Sequence, residues 1–133
     1  AWVHAVLGTE NALGVPLVIA RRESSAYEGS AVNITYATGS ADRVETMSLC
    51  RRAVHAGQRA LIVDDFIKGG GTAKGMADLM REFSVEVAGM GFVMASASPA
   101  GKRVQGEKAL MVMDVNPARP ETLTVRPAEW LNA

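Results

Sequence analysis

Continuous apolar runs of strand length predict the buried strands of a sheet. Residues 15–20 are such a run, and residues 59–64 and 85–94 are two further strand candidates that are mainly apolar. Such runs, without polar alternation, are typical of strands that are covered on both faces in a parallel sheet. Two shorter segments, 109–115 and 122–125, predict further strands, separated by a turn around Pro117 and Pro120.

Helices are predicted where apolar residues recur every three or four positions. Residues 3–14 predict a short helix that ends at Gly14, a residue suited to a left-handed C-cap. A second helix is predicted over residues 42–56. Its apolar face consists of Val44, Met47, Cys50 and Val54. A third helix is predicted to begin at Thr72. Its apolar face consists of Met76, Leu79, Met80 and Phe83.

A polar region separates the first apolar run from the second predicted helix. Residues 30–37 alternate, with Val32, Ile34 and Tyr36 on one side, which predicts a half-exposed strand. Residues 21 to 43 are therefore predicted to form a partly mobile β excursion. Because the other strands alternate with helices, the predicted fold class is α/β, with a central, mostly parallel sheet flanked by helices.

Composition limits the classes of protein to consider. The chain has 133 residues, enough for one compact domain, and 48% of them are hydrophobic. Lys plus Arg equals Asp plus Glu at 14 each, so the formal net charge is zero. A stand-alone nucleic-acid binder normally carries a basic surplus that neutralises phosphates. These residues are therefore not predicted to grip DNA by themselves.

The single cysteine, Cys50, allows no internal disulfide and suits a reducing cytoplasm. No apolar run approaches the ~20 residues that cross a bilayer, and no export signal opens the chain. We expect a cytoplasmic protein with no membrane partner. His4 and His55 form no ligand spacing with Cys50, so no protein-held metal site is predicted.

Candidate chemistry is concentrated in residues 61–72. Asp64 and Asp65 follow a predicted buried strand, and three consecutive glycines then lead to Thr72. Ligands of open α/β sheets gather at the carboxyl ends of the strands. Glycines let backbone N–H groups approach a phosphate, and Thr72 could cap the helix or donate its hydroxyl to the same anion.

The two acids suit a different part of the same ligand. Carboxylates repel a phosphate, but they accept hydrogen bonds from vicinal sugar hydroxyls or meet a divalent cation that carries phosphates. The predicted ligand is therefore a ribose 5-phosphate. The alternative is that the acids only end a strand and the glycines only form a loop. A Walker loop is not indicated, because Lys68 precedes the glycines.

The block of residues 60–72 resembles the phosphoribosyl pyrophosphate signature of phosphoribosyltransferases with a parallel α/β core. The resemblance implies that the acidic pair holds the ribose 2- and 3-hydroxyls and that residues 68–72 wrap the 5-phosphate. Arg21 and Arg22, directly after a predicted strand, resemble the basic pair that in several members reaches the pyrophosphate.

Within that family, four segments are similar to the purine-operon repressors of Gram-positive bacteria. They are residues 15–21, 27–32, 43–49 and 64–76. This resemblance implies a phosphoribosyltransferase-like domain that has lost catalysis and is joined to an N-terminal winged-helix DNA-binding domain. It also implies a homodimer with phosphoribosyl pyrophosphate as inducer and guanine-nucleotide alarmones as further ligands.

The resemblance also indicates a fragment. The chain starts without Met, no winged helix is present, and the family's first core strand and pyrophosphate loop would lie before Ala1. We therefore expect residues 1–133 to be an N-terminally incomplete effector-binding domain. Operator DNA would be reached only through the missing domain.

Lys68 and Phe66 favour a sensor over an enzyme. Hypoxanthine-type transferases carry an acid near the Lys68 position that can interact with the purine N7 proton, whereas lysine is a cation at neutral pH. Phe66 could stack on a nucleobase or be a hydrophobic loop anchor. An active purine phosphoribosyltransferase remains the alternative, since adenine-type members need no acid at that position.

The predicted site therefore contains no catalytic residue and no protein-held metal. No cofactor is required, although Mg²⁺ could arrive with the pyrophosphate. The predicted effector-binding residues are Arg21, Arg22, Asp64, Asp65, Phe66, Lys68, Gly69, Gly70, Gly71 and Thr72.

Overall fold

The computed structural model of the chain describes residues 12–20, 31–38 and 43–132. The strands and the long helix in these ranges are β1 (Ala31–Thr38), β2 (Arg43–Cys50), β3 (Arg59–Ile67), α1 (Gly71–Glu82), β4 (Glu86–Ser96), β5 (Glu107–Asn116) and β6 (Arg119–Pro127). A 3-10 helix, Glu129–Asn132, follows β6. No helix among the described residues is long and apolar enough to cross a membrane.

Strands β3 to β6 form one sheet in the order β3-β4-β5-β6. β3, β4 and β5 run parallel, and β6 returns antiparallel along β5. The parallel pairing of β3 with β4 follows from the connection between them, since α1 carries the chain back to the start of the sheet. The prediction of a mostly parallel α/β sheet is confirmed, and α1 is the flanking helix described.

The predicted strand boundaries need two adjustments. β3 continues beyond residue 64 to Ile67, so it includes the acidic pair. β6 contains Pro120, and the turn is confined to residues 117–118. Among the described residues, β6 is an edge strand of the sheet. Pro120, which has no backbone N–H, is compatible with such a strand because one side of its backbone pairs with no neighbouring strand.

The predicted helix over residues 42–56 is wrong. Residues 43–50 form β2, which pairs antiparallel with β1 and places Tyr36 opposite Glu45. Met47 and Leu49, two residues apart, are 3% and 2% exposed, whereas Val44 is 70% exposed. Ser48 between them is fully buried as well, so the pairing with β1, not an alternation of burial, overrides the coincidental spacing of three and four.

The predicted strand over residues 15–20 is also wrong. These residues belong to neither sheet, although the side chains of Val18 and Ala20 pack against the core. An apolar run reports side-chain burial, but a strand also needs a neighbouring backbone with which to pair. Upstream, residues 12–13 are helical and Gly14 has a φ of +64°, as predicted for the helix end. The rest of that predicted helix lies outside the described residues.

The strand predicted in the β excursion is confirmed as β1, which forms a two-stranded sheet with β2, and the packing of this sheet on α1 builds the main core. The mobility of the excursion stays a prediction, because residues 21–30 and 39–42 lie outside the description. An added Cβ on Gly75 of α1 would lie 2.8 Å from Cγ of Tyr36 in β1. The main core cluster consists of Tyr36, Met47, Leu49, Ile62, Leu79, Met80 and Val85.

A second core cluster lies beneath the start of α1. It consists of Ile67, Ala73, Phe92, Val104 and Ala109. The cluster joins the end of β3, the first turn of α1 and the connection between β4 and β5. It therefore fixes the backbone around the glycines of the predicted site.

Candidate functional site

The acidic pair lies inside β3, which continues to Ile67, past the predicted strand end at residue 64. Asp64 and Asp65 are both partly buried, and Asp64 is paired with Phe92 of β4. The carboxylate of Asp64 accepts a hydrogen bond of 2.9 Å from the backbone N–H of Asp65. Because the ladder continues to Ile67, the backbone of both acids is held by the sheet. A rigid strand of this kind positions a binding side chain better than a loop does.

The glycine turn, defined here as residues 68–70, connects β3 to α1. Gly70 adopts a left-handed conformation, with φ +87° and ψ +14°, and is the N-cap residue of α1. The prediction that Thr72 caps the helix is wrong: α1 begins at Gly71, and no side chain caps it. The left-handed turn places the helix start one residue earlier than the polar side chain. Donation of the Thr72 hydroxyl to an anion stays a prediction.

The start of α1 presents unsatisfied backbone donors. The bond from Lys74 N–H to the Gly70 carbonyl is 2.9 Å long. In an α-helix, the N–H groups before that bond have no acceptor within the helix. The first turn contains no acidic residue, so nothing there offsets the positive end of the helix dipole. Residues 71–73 therefore suit a bound anion.

The connection between β4 and β5 packs against the glycine turn, which the sequence interpretation missed. The backbone N–H of Arg103 donates to the Gly69 carbonyl at 2.9 Å. A Cβ added to Gly70 would lie 3.0 Å from the same Arg103 nitrogen. The available signal was the Lys102-Arg103 pair that follows the β4 strand. The same rule that ligands gather at strand carboxyl ends would have singled it out.

Lys102 crosses this connection with its side chain. Its Nζ donates to the Ser96 carbonyl at 2.7 Å and to the Pro99 carbonyl at 2.6 Å. Burial lowers the pKa of Lys102 below its ordinary value, and the negative charge of Glu107 partly opposes that shift.

The other predicted site residues differ in placement. Phe66 is 36% exposed and Lys68 is exposed, so both side chains reach the surface beside the glycine turn. Lys74, in the first turns of α1, forms an ion pair of 2.8 Å with Asp78. Arg21 and Arg22 lie outside the described residues, so their approach to the pyrophosphate stays a prediction.

The acidic pair is also the candidate place for a metal ion. Among the described residues, no group of three or more His, Cys, Asp or Glu side chains could hold a metal ion. Asp64 and Asp65 offer two carboxylates at one place on β3. Two carboxylates suit a Mg²⁺ ion that keeps most of its ligands from water and from a pyrophosphate.

A separate open groove of about 530 Å³ lies at the amino end of β4. It is lined by Ala77, Arg81, Ser84, Val85, Glu86 and Val87. This end of the sheet is opposite the glycine turn, and the lining holds one cationic and one anionic side chain. The acids and the backbone donors, not this groove, supply the chemistry for a phosphorylated sugar.

Comparison with known proteins agrees with the fold. The family model described as the phosphoribosyl transferase domain matches residues 6–122. The crystal structure of adenine phosphoribosyltransferase from Thermoanaerobacter pseudethanolicus superposes with a TM-score of 0.69 at 22% identity. The superposition covers 80% of this chain and 61% of that one. At this identity, the similarity shows the fold alone.

Two curated relatives are regulators. The purine biosynthesis transcriptional repressor of Bacillus subtilis is 35% identical over 119 residues, which are 90% of this chain and 42% of the relative. The probable purine biosynthesis transcriptional regulator of Streptococcus pneumoniae is 45% identical over 102 residues, 76% of this chain and 37% of the relative. The chain thus spans less than half the length of these relatives.

These matches confirm the family resemblance seen in residues 60–72 and in the four segments that are similar to purine-operon repressors. The chain belongs to the phosphoribosyl transferase domain family, and its relatives include purine biosynthesis regulators of Gram-positive bacteria.

Proposed function

We propose that the chain is the effector-binding domain of a transcriptional regulator of purine biosynthesis and that it binds phosphoribosyl pyrophosphate. The observation that carries the proposal is the continuous segment from Asp64 to Thr72. It joins two strand-held carboxylates to a left-handed glycine turn and an uncapped helix start. The regulatory part of the proposal is supported by the names of the relatives.

Each part of the segment has a complementary part of the ligand. Asp64 and Asp65 accept hydrogen bonds from the ribose 2- and 3-hydroxyls, since ionised carboxylates are acceptors only. The backbone N–H groups at the start of α1, with the Thr72 hydroxyl, donate to the 5-phosphate. Lys68 adds positive charge beside that phosphate. Guanine-nucleotide alarmones, which also carry phosphates on a ribose, are proposed as competing ligands.

The pyrophosphate needs positive charge that the acidic pair cannot supply. Arg21 and Arg22 are proposed to contact it. A Mg²⁺ ion brought by the ligand would reduce its repulsion from Asp64 and Asp65. Binding would therefore depend on divalent cation more strongly for phosphoribosyl pyrophosphate than for ribose 5-phosphate.

Binding without catalysis is supported by Lys68 and Phe66. Both side chains are at the surface beside the glycine turn. The lysine cation is unsuited to accept the purine N7 proton. Phe66 is accessible enough to stack on a nucleobase. Regulation through DNA would need a domain outside these residues, since their formal net charge is zero. Homodimerisation belongs to the same proposal.

A purine phosphoribosyltransferase is the second candidate, favoured by the structural similarity to adenine phosphoribosyltransferase. Incubation of the protein with phosphoribosyl pyrophosphate, Mg²⁺ and adenine, hypoxanthine or guanine separates the two candidates. A sensor forms no nucleotide above the background without protein. Formation of a nucleotide at turnovers of about 1 s⁻¹ or more, within the ordinary enzyme range, would establish the enzyme.

Calorimetry with ligands of increasing completeness tests the binding proposal. The expected order of affinity is phosphoribosyl pyrophosphate with Mg²⁺, then ribose 5-phosphate, then ribose, because each ligand loses one set of contacts. Equal affinity for ribose and ribose 5-phosphate would show that the glycine turn binds no phosphate.

A further inference from the structure

We infer that Lys102 is a positioning residue that holds the glycine turn in its phosphate-binding conformation. It acts through the connection between β4 and β5, residues 97–106, which we call the brace loop. This inference rests on the proposed function for its consequence, but its structural basis is independent of any ligand.

Lys102 ties the brace loop to the end of β4. Its Nζ bonds to the Ser96 carbonyl at 2.7 Å and to the Pro99 carbonyl at 2.6 Å. Both acceptors are backbone atoms, one in the last residue of β4 and one at the start of the loop. The Lys102 side chain thereby ties residue 102 to residues 96 and 99. Its two hydrogen bonds restrain the backbone of the first half of the loop.

The residue after Lys102 contacts the glycine turn. Arg103 N–H donates to the Gly69 carbonyl at 2.9 Å. A Cβ added to Gly70 would lie 3.0 Å from the same Arg103 nitrogen, which is a tight contact with backbone. Backbone atoms of the brace loop therefore contact the glycine turn at both Gly69 and Gly70.

The next residue anchors the loop to the cluster beneath the turn. Val104 is 9% exposed and packs in one cluster with Ile67 and Ala73. Ile67 is the last residue of β3, and Ala73 lies in the first turn of α1. The brace loop therefore contacts the turn itself and the residues on both sides of it.

This arrangement matters because hydrogen bonds to a phosphate depend on angle. Backbone donors weaken steeply when the donor angle departs from linearity, and binding groups must be held within about 0.5 Å of their productive geometry. A brace loop released from Lys102 would leave Gly69 and Gly70 less restrained. The acids on β3, held by the sheet ladder, would be unaffected.

Amide hydrogen exchange in the ligand-free chain tests the positioning directly. The probes are the Arg103 amide, bonded to Gly69, and the Lys74 amide, bonded to Gly70. Lys102→Met keeps the aliphatic stem and removes the donors. We expect both probes to exchange about tenfold faster, as the loss of a charge-assisted hydrogen bond would allow locally. Amides at the far end of α1 should keep their rates.

Matched variants exclude general effects. Lys108→Met removes another lysine, whose Nζ lies over the Trp130 ring at 4.8 Å. It should leave both probes unchanged. Lys102→Arg keeps a cation with several donors and should bring the rates back toward those of the unmodified chain. If Lys102→Met does not fold, Lys102→Gln, a shorter and neutral side chain, supplies the test and should speed exchange at Arg103 and Lys74 more than elsewhere.

Binding measurements then separate the positioning from the proposed function. Lys102→Met should weaken ribose 5-phosphate binding about tenfold, the same factor by which amide exchange at the two probes should rise. Unchanged exchange at Arg103 and Lys74 would overturn the inference, whether or not the chain binds the ligand. If the unmodified chain binds no phosphoribosyl pyrophosphate but the probes respond, the proposed function fails and the positioning stands.

Discussion

At the scale of single residues, two glycines carry requirements that no other residue meets equally well. Gly70 has a positive φ and faces the backbone nitrogen of Arg103. Gly75 lies against the ring of Tyr36. The first requirement concerns the backbone of the binding turn, and the second concerns the space between α1 and the β1–β2 sheet. Substitutions at these positions should therefore have separable effects.

Gly70→Ala should lower both stability and ligand affinity. The left-handed conformation costs a non-glycine residue about 1–2 kcal/mol, and the new Cβ would press on Arg103 at 3.0 Å. Gly69→Ala is the matched control, because nothing lies within 4 Å of its added Cβ and its φ is not in the left-handed region. Urea denaturation should give a larger loss for Gly70→Ala; equal losses would contradict the local description of the turn.

The burial of Lys102 gives a pH dependence of stability with a definite sign. Because burial lowers the pKa of Lys102 below its ordinary 10.5, the folded chain loses this proton at lower pH than the unfolded chain. Between the lowered pKa and 10.5, the unfolded state holds more protons, so this residue makes stability rise with pH. Below that window, the cation carries its full desolvation penalty.

The measurement is the difference in unfolding free energy between the unmodified chain and Lys102→Met. This difference should shift in favour of the unmodified chain as the pH rises toward 10.5, the ordinary pKa of lysine. The same comparison with Lys108→Met removes the effect of net charge. A shift in the opposite direction would mean that the hydrogen bonds to the two carbonyls outweigh burial.

At the scale of elements, the sequence predicted those parts whose periodicity and pairing agree. β3, β4, β5 and α1 were predicted because apolar runs and helical spacing coincided with burial. β2 was predicted as a helix because pairing with β1 is not visible in local spacing. Residues 15–20 were predicted as a strand because an apolar run indicates side chains that can pack on a core, but does not show whether the backbone joins a sheet.

The candidate site likewise has parts that local sequence predicts and parts that depend on contacts between distant segments. The segment from Asp64 to Thr72 was predicted because its chemistry is contiguous in sequence. The contact between the brace loop and the glycine turn was missed because it is made by backbone atoms of residues far apart in sequence, although the Lys102-Arg103 pair after β4 marked the loop itself. The helix start at Gly71 depends on a left-handed Gly70, which a run of three glycines does not specify.

The packing of α1 on β1 makes a further prediction at this scale. Gly75→Ala should destabilise the chain by about 1–3 kcal/mol, the usual cost of overpacking, although alanine favours a helix. The partner in this contact is the ring of Tyr36, whose hydroxyl donates to Glu45 at 3.1 Å. In a double-mutant cycle, Tyr36→Ala, which removes the Cγ and Cδ1 atoms nearest to the new Cβ, should reduce the cost of Gly75→Ala. Additive effects would show that Tyr36 of the β1–β2 sheet does not pack against Gly75 of α1.

At the scale of the whole molecule, the phosphoribosyl transferase fold places the proposed binding segment at the carboxyl edge of a parallel sheet. The chain covers less than half of its regulatory relatives. The proposal therefore assigns effector recognition to these residues and DNA recognition to others. The central claim is that the acidic pair and the glycine turn bind one phosphorylated ribose.

Calorimetry with phosphoribosyl pyrophosphate and Mg²⁺, on the unmodified chain and on Asp64→Ala/Asp65→Ala, tests that claim most directly. Each lost hydrogen bond to a charged group is worth about 1.5–3 kcal/mol, so affinity should fall by about a hundredfold or more. Glu82→Ala/Glu86→Ala, an equal change of charge at exposed positions, should bind like the unmodified chain. Equal heats for the unmodified chain and the Asp64/Asp65 variant would contradict the assignment of the site.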